Sequence, residues 1–263
     1  MIGAIIGDIC GSVYEFRGNK DICVPLFPPG CDYTDDSILT IATAEAVLRK
    51  VPYRNAYVKF GRRYPDPMGG YGMRFGVWLE DLDQEPYGSW GNGSAMRVSP
   101  IGWAFSDLES VLREAQASAE VSHNHPEGIK GAQAVAACVW LARSEYSKVD
   151  IRAFVQQRFG YNLSRSTEEI RANYSFNESC QGTVPEAITA FLDSKDFEDA
   201  TRLAISLGGD ADTVGCITGS IAHAFYRSIP VYMLDKAYGL LPDELRAVLN
   251  EFELNFGCTV QRS

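Results

Sequence analysis

Asp107-Leu108-Glu109-Ser110-Val111-Leu112-Arg113-Glu114-Ala115-Gln116-Ala117-Ser118-Ala119-Glu120-Val121-Ser122 places Leu108, Val111, Leu112, Ala115 and Ala119 at three- and four-residue steps. Glu109, Arg113, Glu114 and Glu120 fill most of the opposite side, and Asp107 can cap the first turn, so the stretch reads as an amphipathic helix. Pro126 opens the next helix, through Ala132, Ala136, Val139 and Trp140, because a proline at the first helical position sacrifices no hydrogen bond. The same periodicity predicts helices over 2–16, 37–50, 57–63, 95–104, 151–159, 185–192, 197–207, 213–227 and 242–252. Strand-type alternation is weak almost everywhere, so the chain is expected to be all-α. Segments 24–32, 65–72 and 85–93, rich in Pro, Gly or both, break the pattern and are long enough to be functional loops rather than connectors. With no linker, charge run or fixed-period repeat, a single domain over 1–263 is the expected organisation.

The balance of 24 Lys plus Arg against 34 Asp plus Glu gives a net charge of −10, which argues against a broad phosphate-backbone footprint and so against general nucleic-acid binding. An apolar share of 46% with 22% charged residues is that of a soluble globular chain. The longest uncharged stretches, such as 213–226, fall short of the roughly 18 to 20 apolar residues of a membrane span, so no membrane association is expected. Met1 to Gly7 lacks a basic leader and runs into Asp8, unlike a secretory signal. The seven cysteines (10, 23, 31, 138, 180, 216, 258) are scattered and form no C-x-x-C pair, which reads as mostly buried thiols of a cytoplasmic protein, not a disulfide framework or zinc site.

Two acidic constellations stand out. In Thr34-Asp35-Asp36-Ser37, two adjacent carboxylates precede the apolar run Ile38, Leu39, Ile41, Ala42. Helix capping accounts for one of them; a hard cation such as Mg²⁺ or Mn²⁺ would account for both by removing their repulsion. Gly208-Gly209-Asp210-Ala211-Asp212-Thr213 repeats the theme on a glycine-preceded turn, ahead of a helix almost without charge that should be deeply buried. Capping explains each pair taken alone, but a shared two-metal site explains both beside threonine. In the opening helix, Asp8, Ser12 and Glu15 share one face, and Gly3, Gly7 and Gly11 at four-residue spacing offer a smooth surface for close approach.

Gly69-Gly70-Tyr71-Gly72 and Ser89-Trp90-Gly91-Asn92-Gly93-Ser94 are candidates for cradling phosphates, since glycine lets backbone N–H groups approach an anion; as ordinary turns they would need no ligand. Tyr71 and Trp90 could stack on a base or sugar, or anchor the loops by packing. His123 and His125 have no third ligand nearby, so a hydrogen bond from His123 to substrate or backbone is preferred to metal binding, and His223 reads as a satisfied core residue.

Gly7-Asp8 with Glu15, the Thr34-Asp35-Asp36-Ser37 box, Gly91-Asn92-Gly93-Ser94-Ala95-Met96-Arg97, Ser122-His123 and Ser206-Leu207-Gly208-Gly209-Asp210-Ala211-Asp212-Thr213 occur together in this order. In this the chain resembles the ADP-ribosylglycohydrolases, over a span from the first helix to about Arg227. The resemblance implies a compact, single-domain orthogonal helical bundle, working as a monomer, with a binuclear Mg²⁺ or Mn²⁺ centre at the base of a cleft. Thr34, Asp35, Asp36, Asp210, Asp212 and Thr213 would be the metal ligands, and Glu15, Asp35 and Asp36 the catalytic acids, with Glu15 in the place of a mobile acid that helps activate water or a substrate hydroxyl. Gly69, Gly70, Tyr71, Gly72, Ser89, Trp90, Gly91 and Asn92 would wrap the diphosphate, Trp90 against the adenosine half, with His123 near the substrate. The implied reaction is hydrolysis at C1″ of ADP-ribose attached to a protein side chain, of arginine or serine type, or to a small acceptor. A non-catalytic ADP-ribose-binding or crystallin-like structural member, and a metallo-hydrolase of another nucleotide, are the alternatives.

Overall fold

In the computed structural model, which describes residues 1–258 and 260–262, nearly every stretch of regular structure is helical. The opening helix α1 (Ile2–Gly11) is buried along its whole length and continues into a 3₁₀ turn, Ser12–Tyr14. Helix α2 (Asp35–Arg49) begins two residues before the expected start at Ser37, because the Thr34 hydroxyl accepts from the Asp36 N–H and so starts the helix at the acidic pair. It ends where Lys50 takes a left-handed conformation. Helices α3 (Tyr53–Arg63) and α4 (Met73–Glu80) follow. The expected helix over 95–104 is divided into α5 (Gly93–Met96) and α6 (Ser99–Ala104), since Pro100 has no N–H to continue the first into the second.

The amphipathic stretch forms α7 (Leu108–Glu120), capped by Asp107 as its sequence suggests, and α8 spans Pro126–Arg143. Helix α9 (Lys148–Phe159) starts earlier than its apolar periodicity indicates. Ser147 and Asp150 form a reciprocal capping box there, a spacing legible in the sequence but not weighted. After the short α10 (Thr167–Arg171), α11 (Cys180–Asp193) contains Pro185 rather than starting at it, because the Ser179 side chain caps an earlier turn. Helices α12 (Phe197–Ile205), α13 (Ala211–Tyr226), α14 (Val231–Leu240) and α15 (Asp243–Phe256) complete the bundle, and two-residue strands β1 (Ser228–Ile229) and β2 (Gln261–Arg262) pair in parallel.

Helix α1 packs against α13 more extensively than any other pair of helices among the described residues. The reason is small residues on both faces. A Cβ added at Gly7 would lie 1.9 Å from the Gly215 carbonyl oxygen, and one at Gly219 would lie 2.2 Å from that of Gly3. Backbone therefore meets backbone along this seam, closer than any side chain permits. Around this seam Ile2, Ile5, Ile6 and Ile9 are all fully buried. No helix is long and apolar enough to cross a membrane among the described residues. All seven cysteines are free thiols, five of them buried.

Candidate active site

The seam brings Asp8 of α1 close to Asp212 of α13. Asp8, on α1, is fully buried and points at the start of α2. Its carboxylate accepts from the Thr34 N–H at 3.0 Å, the Thr34 hydroxyl at 2.7 Å, the Ser37 N–H at 3.1 Å and the Ser37 hydroxyl. It thus caps α2 from another helix and satisfies donors that helical geometry leaves free, with the helix dipole favouring its charge. The sequence places Asp8 on a polar stripe and within the Gly7-Asp8 motif, but not among the expected metal ligands. The signal for its place here was a lone acid among Gly and Ile in a segment with no exposed face.

Next to it, Asp36 is buried; its Oδ2 accepts from the Thr213 hydroxyl at 3.2 Å and faces the Thr34 hydroxyl at 3.4 Å, while its Oδ1 has no partner. Asp210 accepts from the Asn92 amide at 2.7 Å, and Asp212 from the Thr213 N–H at 2.9 Å. Carboxylate oxygens of Asp8, Asp36 and Asp212 lie within 4.8 Å of one another, as do those of Glu15, Asp210 and Asp212. Asp212 belongs to both groups. The turn that delivers Asp210 depends on its glycines: Gly208 has φ +71°, and a Cβ at Gly209 would strike the Tyr174 ring at 2.2 Å. Asp35 lines the same cleft but stands outside both close groups.

Crowding shows in the protonation of these acids. Burial pushes Asp8 up to about 6 even against its four donors. Glu15 rises to about 7, first through burial and then through the negative charges of Asp210, Asp8 and Glu178. Asp35, Asp36 and Asp212 are pushed well above the usual carboxylate value, first by burial and then by the negative charges of neighbouring acids, Asp210 among them in each case, and Asp210 is raised by burial. Among the described residues no Lys, Arg or His bridges to any of them. An all-oxygen donor set, an excess of negative charge and a buried orphan oxygen on Asp36 fit hard divalent cations.

Above these acids opens a cleft of about 260 Å³. One wall carries Gly70 and Gly72 from the loop before α4, then Met73, Arg74 and Phe75 from α4 itself, which periodicity had not revealed although Phe75, Trp78 and Leu79 recur at helical spacing. Gly69 and Gly70 have φ +77° and +80°, and a Cβ at Gly69 would come within 2.7 Å of the Glu15 carboxylate, so this loop closes over Glu15. A bridge between Thr34 and Met68 pins it beside α2. The other wall carries Ser89, Gly91, Asn92, Gly93 and His123. It is tied to α11 by the Asn92 N–H on the Glu178 carbonyl at 2.7 Å and the Cys180 N–H on the Trp90 carbonyl at 2.9 Å.

Gly69, Tyr71 and Trp90 do not line the cleft. The Tyr71 hydroxyl donates back to the Tyr64 carbonyl at 2.8 Å, and Trp90, half exposed, packs edge-on against His125 at 5.5 Å. Thr34 lies beneath the surface, between Asp8 and Asp36. Phe176 and Glu178, from a segment without any recognised motif, complete the rim. His223 is only half satisfied: its Nδ1 faces the Met1 α-amine at 3.1 Å, but its Nε2 has no partner.

The sequence model of the ADP-ribosylglycohydrolase family matches residues 1–257. The chain is 28% identical to "ADP-ribosylhydrolase ARH3" of Bos taurus over 86% of this chain and 83% of that one. It is 24% identical to "ADP-ribosylarginine hydrolase Tri1" of Pseudomonas putida, over 86% and 69% of the two chains. A solved structure described as an "ADP-ribosylglycohydrolase-related protein complex" superposes with a TM-score of 0.67 at 24% identity, covering 98% of this chain and 93% of its own, which shows the same fold. The family model spans nearly the whole of the helical bundle and both acidic motifs, and the chain belongs to the ADP-ribosylglycohydrolase family.

Proposed function

We propose that this protein is a divalent-cation-dependent hydrolase that cleaves the bond at C1″ of ADP-ribose attached to a protein side chain or small acceptor, releasing ADP-ribose. The observation that carries the reading is the convergence of five carboxylates, one with an unpartnered buried oxygen, at the foot of a glycine-walled cleft. Asp8, Asp36 and Asp212 would hold one cation and Glu15, Asp210 and Asp212 the second, with Thr34, Asp35 and Thr213 in support. Such ions, when bound, supply charge compensation and polarise the oxygens they touch. The chain's own residues do the rest. The Thr213 hydroxyl orients the Asp36 carboxylate, the Thr34 hydroxyl accepts from the Asp36 N–H, and Asn92 orients Asp210. Glu15, at the edge of the cleft and under the Gly69 loop, is placed to take a proton from water or a substrate hydroxyl as the distal ribose develops oxocarbenium character. The backbone N–H groups of the glycine loops offer donors to a diphosphate without adding net charge.

The names of the relatives, one acting on ADP-ribosylarginine, support an ADP-ribosyl substrate and leave the acceptor to experiment. The test is a panel of defined ADP-ribosyl linkages, arginine and serine among them, supplemented with Mg²⁺ or Mn²⁺ and read by release of ADP-ribose. Binding of ADP-ribose with no turnover on any linkage would favour a binding module instead.

A further inference from the structure

Arg97 follows α5 and is fully buried, its guanidinium carbon 4.1 Å from the centre of the Tyr57 ring. No acid pairs with it among the described residues, and its Nε and Nη1 have no hydrogen-bond partner. Its Nη2 donates to the Ser118 carbonyl at 3.1 Å and to the Ser122 hydroxyl at 2.9 Å. That hydroxyl lies 2.8 Å from Nδ1 of His123. Ser122 is fully buried and has no other side-chain partner among the described residues.

The direction of each hydrogen bond follows from donor chemistry. A guanidinium only donates, so the Ser122 oxygen accepts from Arg97 and has one proton of its own to give. Were Nδ1 protonated, that hydroxyl proton would be buried without an acceptor, at the cost of an unmade hydrogen bond. The Ser122 hydroxyl therefore donates to Nδ1, and the ring proton sits on Nε2. Nε2 has no partner among the described residues and faces the glycine wall of the cleft, 3.1 Å from where a Cβ of Gly93 would stand and 3.5 Å from that of Gly91. Any side chain at Gly93 would crowd this nitrogen.

We infer that Arg97 and Ser122 form a relay that locks His123 as the Nε2–H tautomer, so that the imidazole presents a fixed donor to an oxygen of the ligand in the cleft. Arg97 and Ser122 are positioning residues; His123 makes the contact. Burial and the positive charges of Arg97 and Arg74 keep the ring from taking a second proton, and Tyr87, the other titratable group against it, lies tilted at 5.9 Å without a hydrogen bond to it. Only the identity of the ligand rests on the ADP-ribosyl reading, because the tautomer belongs to the protein alone.

The relay is read directly from long-range ¹H–¹⁵N spectra of histidine-labelled protein at neutral pH, where three histidines leave few signals to assign. The expected spectrum has His123 neutral with its proton on Nε2. Ser122→Ala should shift it toward the other tautomer or a mixture, and Ser122→Thr, which keeps the hydroxyl, should restore it. An Nδ1–H ring in the wild type, or a tautomer unchanged in Ser122→Ala, overturns the relay. The wild-type spectrum decides even where the variant fails to fold. Adding ADP-ribose with Mg²⁺ should move the Nε2 resonance, and Ser122→Ala should weaken ADP-ribose binding about tenfold, the value of one hydrogen bond, with Thr rescuing it. Binding that leaves Nε2 unmoved overturns the ligand contact. Failure to hydrolyse any linkage, with the tautomer as stated, counts against the proposed function and not against the relay.

Discussion

Gly7→Ala tests whether the α1–α13 seam holds the acidic site together. The added methyl would sit 1.9 Å from the Gly215 carbonyl oxygen and 2.4 Å from its carbon, both backbone atoms that cannot rotate away. Restoring an ordinary contact of about 3.4 Å requires the helices to part by roughly 1.5 Å at this level. Alanine in place of glycine inside a helix gains about 0.5–1 kcal/mol, while forced overpacking costs about 1–3 kcal/mol or more, and backbone contact belongs at the upper end. The net expectation is a loss of about 2 kcal/mol, or roughly 4–8 °C in melting temperature for a chain of this size.

The local effect is larger. Asp8 is the next residue, and its oxygens now lie within 4.8 Å of those of Asp36 and Asp212. Metal ligands tolerate displacements of about 0.2 Å, so a parting of this size should weaken Mn²⁺ binding at least tenfold. Circular dichroism melts and calorimetric titration with Mn²⁺ alone measure the two effects separately. Gly239→Ala is the control, because Gly239 lies on the exposed part of α14 with open space around it, and it should be neutral or stabilising. A Gly7→Ala protein that melts and binds Mn²⁺ like the wild type would refute the reasoning.

Saturation with Mg²⁺ or Mn²⁺ at 100 times its dissociation constant should stabilise the fold by about 2.7 kcal/mol, seen as a melting shift of about 5–10 °C; no shift with either ion would exclude a cation site. Without divalent ions, Asp8 has a folded value of about 6 against 3.8 unfolded, so the folded state binds the extra proton and stability falls as pH rises from 4 to 6. This acid alone contributes about 3 kcal/mol to that fall, and melts run with and without Mg²⁺ should diverge above pH 6; superimposable profiles would contradict the crowding of the acids. Asp212→Asn should abolish turnover while raising the melting temperature of the metal-free protein, since it removes one charge from both close groups, and retained activity would sink the assigned role. Ser147→Ala, which opens the capping box of α9 far from the cleft, should cost about 1 kcal/mol without altering turnover.

The two acidic motifs were legible because each combines residues that ordinary capping does not need twice. The glycines of α1 were legible as a smooth face, though not their partners, since nothing in sequence spacing says that Gly7 meets Gly215. Asp8 was visible as an acid but not as a member of the site: its place depends on that seam, a contact across most of the chain. Arg74 and Phe75 belong to no motif, and Phe75, Trp78 and Leu79, though at helical spacing, are too short a run to mark α4 beside its glycine loop. Phe176 and Glu178 could not have been found, since they reach the cleft only through the backbone pairing of their segment with residues 90–92. The first residues of α2 and α9 are readable from Thr34 and from the Ser147–Asp150 box, capping signals that apolar periodicity does not carry.

The pairing of α1 with α13 also sets an order of events during synthesis. Helix α1, with Ile2, Ile5, Ile6 and Ile9, is made before any partner for its glycine face, since Gly215 and Gly219 lie roughly 200 residues later. At about 5–20 residues per second, the wait is on the order of 10–40 s. Through that interval the acids cannot assemble and the most apolar helix of the chain has its final surface uncovered. A nascent chain stalled before α13 should therefore be a client for chaperones and a poor competitor for divalent ions, while release of the next twenty residues should change both properties together.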